Sequence, residues 1–121
     1  MNIALWILQS LLAFAFCAAG LMKLAKSRAA LLADKRMAWA NDFESSHIKL
    51  IGLVEVLGGI GLILPLALHV MPILTPVAAA GLALLMIGAV ATHIRRKESP
   101  VPPMVLALLS LAVAVGRFVI A

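Results

Sequence analysis

The sequence is poor in charge, and poorer still in acid. Of 121 residues only 12% are Asp, Glu, Lys or Arg, and only five are acidic. A soluble domain of this size could not hide its apolar surface when 64% of the residues are hydrophobic. Lipid is therefore the expected solvent, and backbone hydrogen bonds must close within helices. No strict alternation of apolar and polar residues runs through the chain, which argues against a β-barrel. Cys17 is the only cysteine, which excludes an intramolecular disulfide and a CxxC site. It follows Ala15-Phe16, a bulky residue where lipoprotein processing needs a small one. The start has no basic stretch and its apolar run is too long for a cleaved signal, so Met1–Leu24 reads as a retained helix. His47, His69 and His93 are scattered, without H-x₃-H or Cys/His spacing, so no metal site is expected. Phosphate-loop, G-x-S-x-G, flavin and nicotinamide motifs are all missing.

What is present is four hydrophobic segments, roughly Asn2–Leu24, Ile48–Leu68, Pro72–Thr92 and Val101–Ala121. A bilayer core of about 30 Å takes about 20 helical residues. The expectation is an all-α integral membrane protein, a four-helix up-and-down bundle forming one domain over residues 1–121. Lys and Arg are distributed unevenly. Nine of the ten lie in or beside the first and third connections, and only Arg117 lies elsewhere. By the positive-inside rule, connections 25–47 and 94–100 face the cytoplasm and both termini face out, in an inner (cytoplasmic) membrane. The formal charge of +5 is then a topology signal, met by anionic lipid and not by nucleic acid.

The first connection is the only long one. Ala29, Leu32, Trp39 and Phe43 fall near one helical face, which predicts a short amphipathic helix on the membrane surface. Ser45 or Ser46 is a candidate cap for the second span. The connection around Ala67–Met71 is short, so the second and third spans are expected to form a hairpin. Pro100, Pro102 and Pro103 suit the start of the fourth.

Glu55 is the one acidic residue inside the spans. Ionisable groups in a membrane helix cost about 2.5–3.5 kcal/mol on insertion scales, so they have a partner or a task. Gly52, Glu55 and Gly59 share a helical face, which turns the carboxyl toward the bundle. There it either locks the packing or serves a ligand or a proton. His93, with Met86 on its face, ends the third span at the same depth. It is either an interface residue or half of a Glu–His proton shuttle. Lys23 either snorkels to the interface or turns in to neutralise Glu55 or hold an anionic or carbonyl oxygen. Thr92 bonds back to its own helix or serves a ligand. Arg117, near the other end, snorkels outward or meets the chain's own terminal carboxylate.

Three segments together resemble the DoxX-like family of small four-helix membrane proteins. They are Phe16-Cys17-Ala18-Ala19-Gly20-Leu21-Met22-Lys23-Leu24, then Gly52-Leu53-Val54-Glu55-Val56-Leu57-Gly58-Gly59-Ile60-Gly61-Leu62 closing at Pro65, then Met86-Ile87-Gly88-Ala89-Val90-Ala91-Thr92-His93. The resemblance implies the four-helix fold, with Lys23, Glu55 and His93 at its polar positions. The broader family includes a membrane subunit associated with thiosulfate:quinone oxidoreduction and members linked to oxidative-stress complexes. The wider clan resembles sterol-isomerase and sigma-2-type receptor bundles, which hold apolar ligands against buried carboxylates.

The leading expectation is therefore a bundle that binds an apolar, quinone-like small molecule in a polar-lined pocket and supports redox or proton-transfer chemistry. Glu55 and His93 are the candidate catalytic pair. Lys23, Gly52, Gly59, Met86 and Thr92 are the candidate ligand-binding residues. A quinone is the favoured cofactor class, and one histidine leaves haem open. Three alternatives stand beside this. One is a self-contained membrane enzyme doing acid–base chemistry, isomerisation or epoxide opening, on a lipophilic substrate. The others are a small transporter and a non-catalytic assembly subunit. Self-association or a membrane-complex partner is compatible with the Gly/Ala-rich faces.

Overall fold

The computed structural model describes residues 2–33 and 35–119, without the side chains of Lys35, Arg36 and Asp42. All regular structure among these residues is helical. It comprises α1 (Asn2–Ala25), α2 (Arg28–Leu32), a 3₁₀ segment (Lys35–Asp42), α3 (Ser45–Gly61), α4 (Leu64–Ala67), α5 (Leu74–Arg95) and α6 (Val101–Val119). Four stretches are long and apolar enough to cross a membrane: α1, α3 with α4, α5 and α6. Ile120 and Ala121, expected to end the fourth span, lie outside the described residues, as does the terminal carboxylate considered for Arg117.

The helices associate as two tight pairs, α1 on α3 and α5 on α6. Glycine sets the first pair. A Cβ at Gly20 would lie 2.5 Å from the Gly52 carbonyl oxygen, and one at Gly59 would lie 2.6 Å from Cys17 Sγ. Backbones can approach this closely only where side chains are missing. The expected α3/α5 hairpin is thus not the main contact. These two neighbours in sequence meet chiefly where Gly58 packs on Leu82 and Gly61 on Ala78. Between the pairs lies an apolar core of Leu12, Phe16, Leu62, Leu82, Met86 and Val113.

The first and third connections share one end of the bundle, here the basic end; the termini share the other. The helical stretch expected in the first connection is present, but in two pieces. Ser27 caps α2, its Oγ accepting from Ala30 N at 3.1 Å. The 3₁₀ segment bends at Met37. Of the face read from the sequence, Leu32, Trp39 and Phe43 pack against a buried cluster of Leu31, Met37, Ala40 and Ile48, while Ala29 is exposed. The connection is a small cap seated on the bundle. Arg28 fastens it, donating from Nε to Phe43 O and from Nη2 to Asn41 O, both at 2.9 Å. Lys49 Nζ lies 3.0 Å from Leu24 O and 3.3 Å from Lys26 O, meeting carbonyls left over at the end of α1. Glu44, not a serine, occupies the cap position of α3, without a side-chain bond.

Two helix ends turn on a residue with positive φ. At His69 (φ 55) the Val70 amide reaches Pro65 O at 3.0 Å. At Lys97 (φ 58) the Glu98 amide reaches His93 O at 2.8 Å and the Lys97 amide reaches Ile94 O at 3.0 Å. Both are Schellman closures in which glycine is the usual occupant.

Candidate functional site

Glu55 sits mid-way along α3 and Lys23 in the last turn of α1. Both are buried, at 3% and 6% exposure, and Lys23 Nζ lies 2.7 Å from Glu55 Oε1. The pair exists because α1 and α3 cross so closely. A Cβ at Gly52, one turn before Glu55, would lie 2.9 Å from Lys23 Cβ. Lys23 turns inward, away from a snorkelling position. Its Nζ also lies 5.5 Å from the centroid of the Trp39 ring, so the ammonium rests between a carboxylate and an aromatic face.

A cavity of about 560 Å³ adjoins this pair, between the two helix pairs at the basic end. Lys23, Glu55, Thr92 and His93 give it polar atoms, and the rest of its wall is almost wholly apolar, including Ile51, Leu85, Met86 and Leu106. Trp39 and Phe43 close it on the basic side, their rings edge-to-face at 5.7 Å and 77°. Met86 belongs both to the wall and to the apolar core, so the packed layer begins where the cavity ends.

His93 ends α5 on this wall, with Nδ1 2.8 Å from Ala89 O. A carbonyl oxygen can only accept, so Nδ1 carries the hydrogen and neutral His93 keeps its lone pair on Nε2. No hydrogen bond joins His93 to Glu55; they share a cavity, not a contact. Thr92 Oγ1 donates to Gly88 O at 3.0 Å, within its own helix. The two glycines expected at the site are elsewhere. Gly52 and Gly59 lie at the α1/α3 crossing and not on the cavity wall. A Cβ at either would run into α1, at the Gly20 carbonyl and Lys23 Cβ for Gly52 and at Cys17 Sγ for Gly59, so they position the site without lining it.

Two features escaped the sequence reading. Trp39 and Phe43 are cavity residues, brought there by the cap. At the terminal end, Gln9 and Arg117 are buried at 0% and 3% exposure. Arg117 Nε donates to Gln9 Oε1 at 2.6 Å, and its Nη1 donates to Asn2 Oδ1 at 2.7 Å. Gln9 Nε2 donates to Leu62 O at 2.6 Å, in the break between α3 and α4. Trp6 covers the guanidinium at 5.2 Å. An amide inside an apolar span was the available signal, and it points to a helix-tying bond. Among the described residues no group of three or more His, Cys, Asp or Glu could hold a metal.

A bundle of four helices long and apolar enough to cross a membrane marks a multi-pass membrane protein. Residues 7–115 match the model of the DoxX-like family, and the chain belongs to that family. No curated protein and no solved structure was found to match it.

Proposed function

We propose that the bundle binds an apolar, quinone-like small molecule in the cavity at Lys23, Glu55 and His93 and supports redox or proton-transfer chemistry there. The carrying observation is the cavity itself: about 560 Å³, apolar on nearly all sides, with a buried ion pair on one wall and an imidazole on another. Small-molecule sites span about 300–1,000 Å³ and combine apolar walls with few convergent polar groups. Lys23 Nζ is suited to hold a ligand oxygen. Glu55 and the Nε2 of His93 are suited to pass protons to and from it. These residues move protons only, so redox chemistry requires a membrane partner to supply or remove electrons. In this reading the basic end faces the cytoplasm, as the Lys/Arg asymmetry implies.

A second reading uses the same groups differently. Carboxylate and imidazole on one cavity can act as acid and base on a lipophilic substrate with no electron partner. Transport has less support, because Leu12, Phe16, Leu82 and Val113 fill the layer beyond the cavity. Mass spectrometry of molecules retained in mild detergent separates the readings. A bound quinone supports the first, an apolar metabolite converted on incubation supports the second, and a partner subunit alone supports an assembly role. Glu55→Gln and His93→Ala should each lower turnover or ligand affinity by about 10²-fold or more, and the double variant should be little worse. Full activity in Glu55→Gln would reduce Glu55 to a packing residue and favour the assembly role.

A further inference from the structure

The walls of the cavity differ from side to side. On its basic side the cap covers it, fastened by Arg28 to Asn41 O and Phe43 O. Toward the termini the apolar core fills the bundle. Between α3 and α5 the situation changes along the helices. In the half nearer the termini the two touch: a Cβ at Gly58 would lie 2.6 Å from Leu82 Cδ2, and one at Gly61 would lie 2.8 Å from Ala78 Cβ. That fixes an antiparallel register in which Ile51 and Ala89 are opposite each other, seven residues nearer the basic end on each helix. Seven residues is about 10 Å of rise. At this level the cavity lies between them, with both helices contributing to its wall. Ile51 and Ala89 are half-buried and both line the cavity. Gly88 beside them lines the cavity and is exposed, and a Cβ there would meet nothing within 4 Å.

We propose that this cleft is a lateral portal. The cavity opens into the bilayer between α3 and α5, Gly88 keeps the mouth clear, and the ligand is drawn from the lipid phase. The occupant is a membrane-dissolved apolar molecule that leads with its polar group toward Lys23 and Glu55. The proposal rests on the cavity being a ligand site, but its geometry is testable without knowing the ligand. Every lip residue is apolar or glycine, so a water-borne polar molecule gains nothing on this route. A lipid-dissolved one crosses it without leaving an apolar medium. A side chain at position 88 is then a plug that can be added without a clash.

The test uses Trp39 as the reporter. In a Trp6→Phe background the full chain has one indole, at the cavity's basic side. The protein is placed in phosphatidylcholine vesicles and quenched with a doxyl-labelled alkane from the lipid phase, or with acrylamide from water. Gly88→Phe should lower alkane quenching of Trp39 severalfold and leave acrylamide quenching unchanged. Gly81→Phe is the matched control. It lies seven residues away on the same face, also with nothing within 4 Å of its Cβ, and away from the cavity wall; it should change neither. Ile51→Phe, on the opposite lip, should reproduce the Gly88→Phe result and replaces it if that variant does not fold. Unchanged alkane quenching in the folded lip variant overturns the portal, as does an equal drop in Gly81→Phe. A loss of acrylamide quenching in its place also overturns it, by locating the opening at the aqueous face. Glu55→Gln should leave the quenching as it is. A ligand site that fails the tests above is therefore distinguishable from a portal that fails this one.

Discussion

At the scale of residues, Lys23 and Glu55 depend on each other. Removing one partner of a buried pair costs about 3–5 kcal/mol, because the other is left uncompensated, whereas replacing both can be nearly neutral. Lys23→Met and Glu55→Gln should therefore each lower the thermal midpoint in detergent, and the double variant should recover much of the loss. Additive losses would show that the 2.7 Å contact carries no coupling. Both residues were legible in the sequence, because charge inside an apolar span is rare and needs a reason. Trp39 was not, since only the path of the cap brings its ring within 5.5 Å of the ammonium. Gln9 was visible as a letter, but its partners Leu62 and Arg117 are 53 and 108 positions away.

At the scale of elements, the α1/α3 crossing sets the ion pair. Gly20→Ala puts a methyl 2.5 Å from the Gly52 carbonyl and 2.6 Å from Val56 Cγ2, so the helices must part. Overpacking of this kind costs about 1–3 kcal/mol. The midpoint should fall, and ligand affinity should fall with it as Lys23 is moved off Glu55; a silent Gly20→Ala would mean the crossing can relax. The end of α5 offers the opposite sign. Lys97 is exposed at φ 58, a conformation glycine adopts without the Cβ penalty. Lys97→Gly should therefore raise stability by up to about 1 kcal/mol, read as a higher midpoint. The elements themselves were legible from long apolar runs. The tightest pairing was not: a short connection suggested α3 with α5, which do meet at Gly58–Leu82 and Gly61–Ala78, but glycines bring α3 closest to α1.

At the scale of the whole molecule, an even number of spans puts the two termini on one side, and the positive-inside rule predicts that this side is the outer one. Nine of ten Lys and Arg lie toward the basic end. A periplasm-active reporter fused to the C-terminus should be active, and a cytoplasm-active one silent, with the same result at the N-terminus. A cytoplasmic C-terminus would reverse the orientation and place the cavity in the outer half of the membrane.

The sequence by itself determined that the chain is a membrane bundle of four helices and which ionisable groups need an explanation. Both follow from the cost of moving polar groups into lipid, which acts on each segment separately. Only the tertiary structure decided what meets what. The cavity is a gap between two helix pairs, and its position depends on where glycines let backbones close and where the apolar core of Leu12, Phe16, Leu82 and Val113 begins. Such contacts are set by residues far apart in the chain, so no periodicity within one segment encodes them.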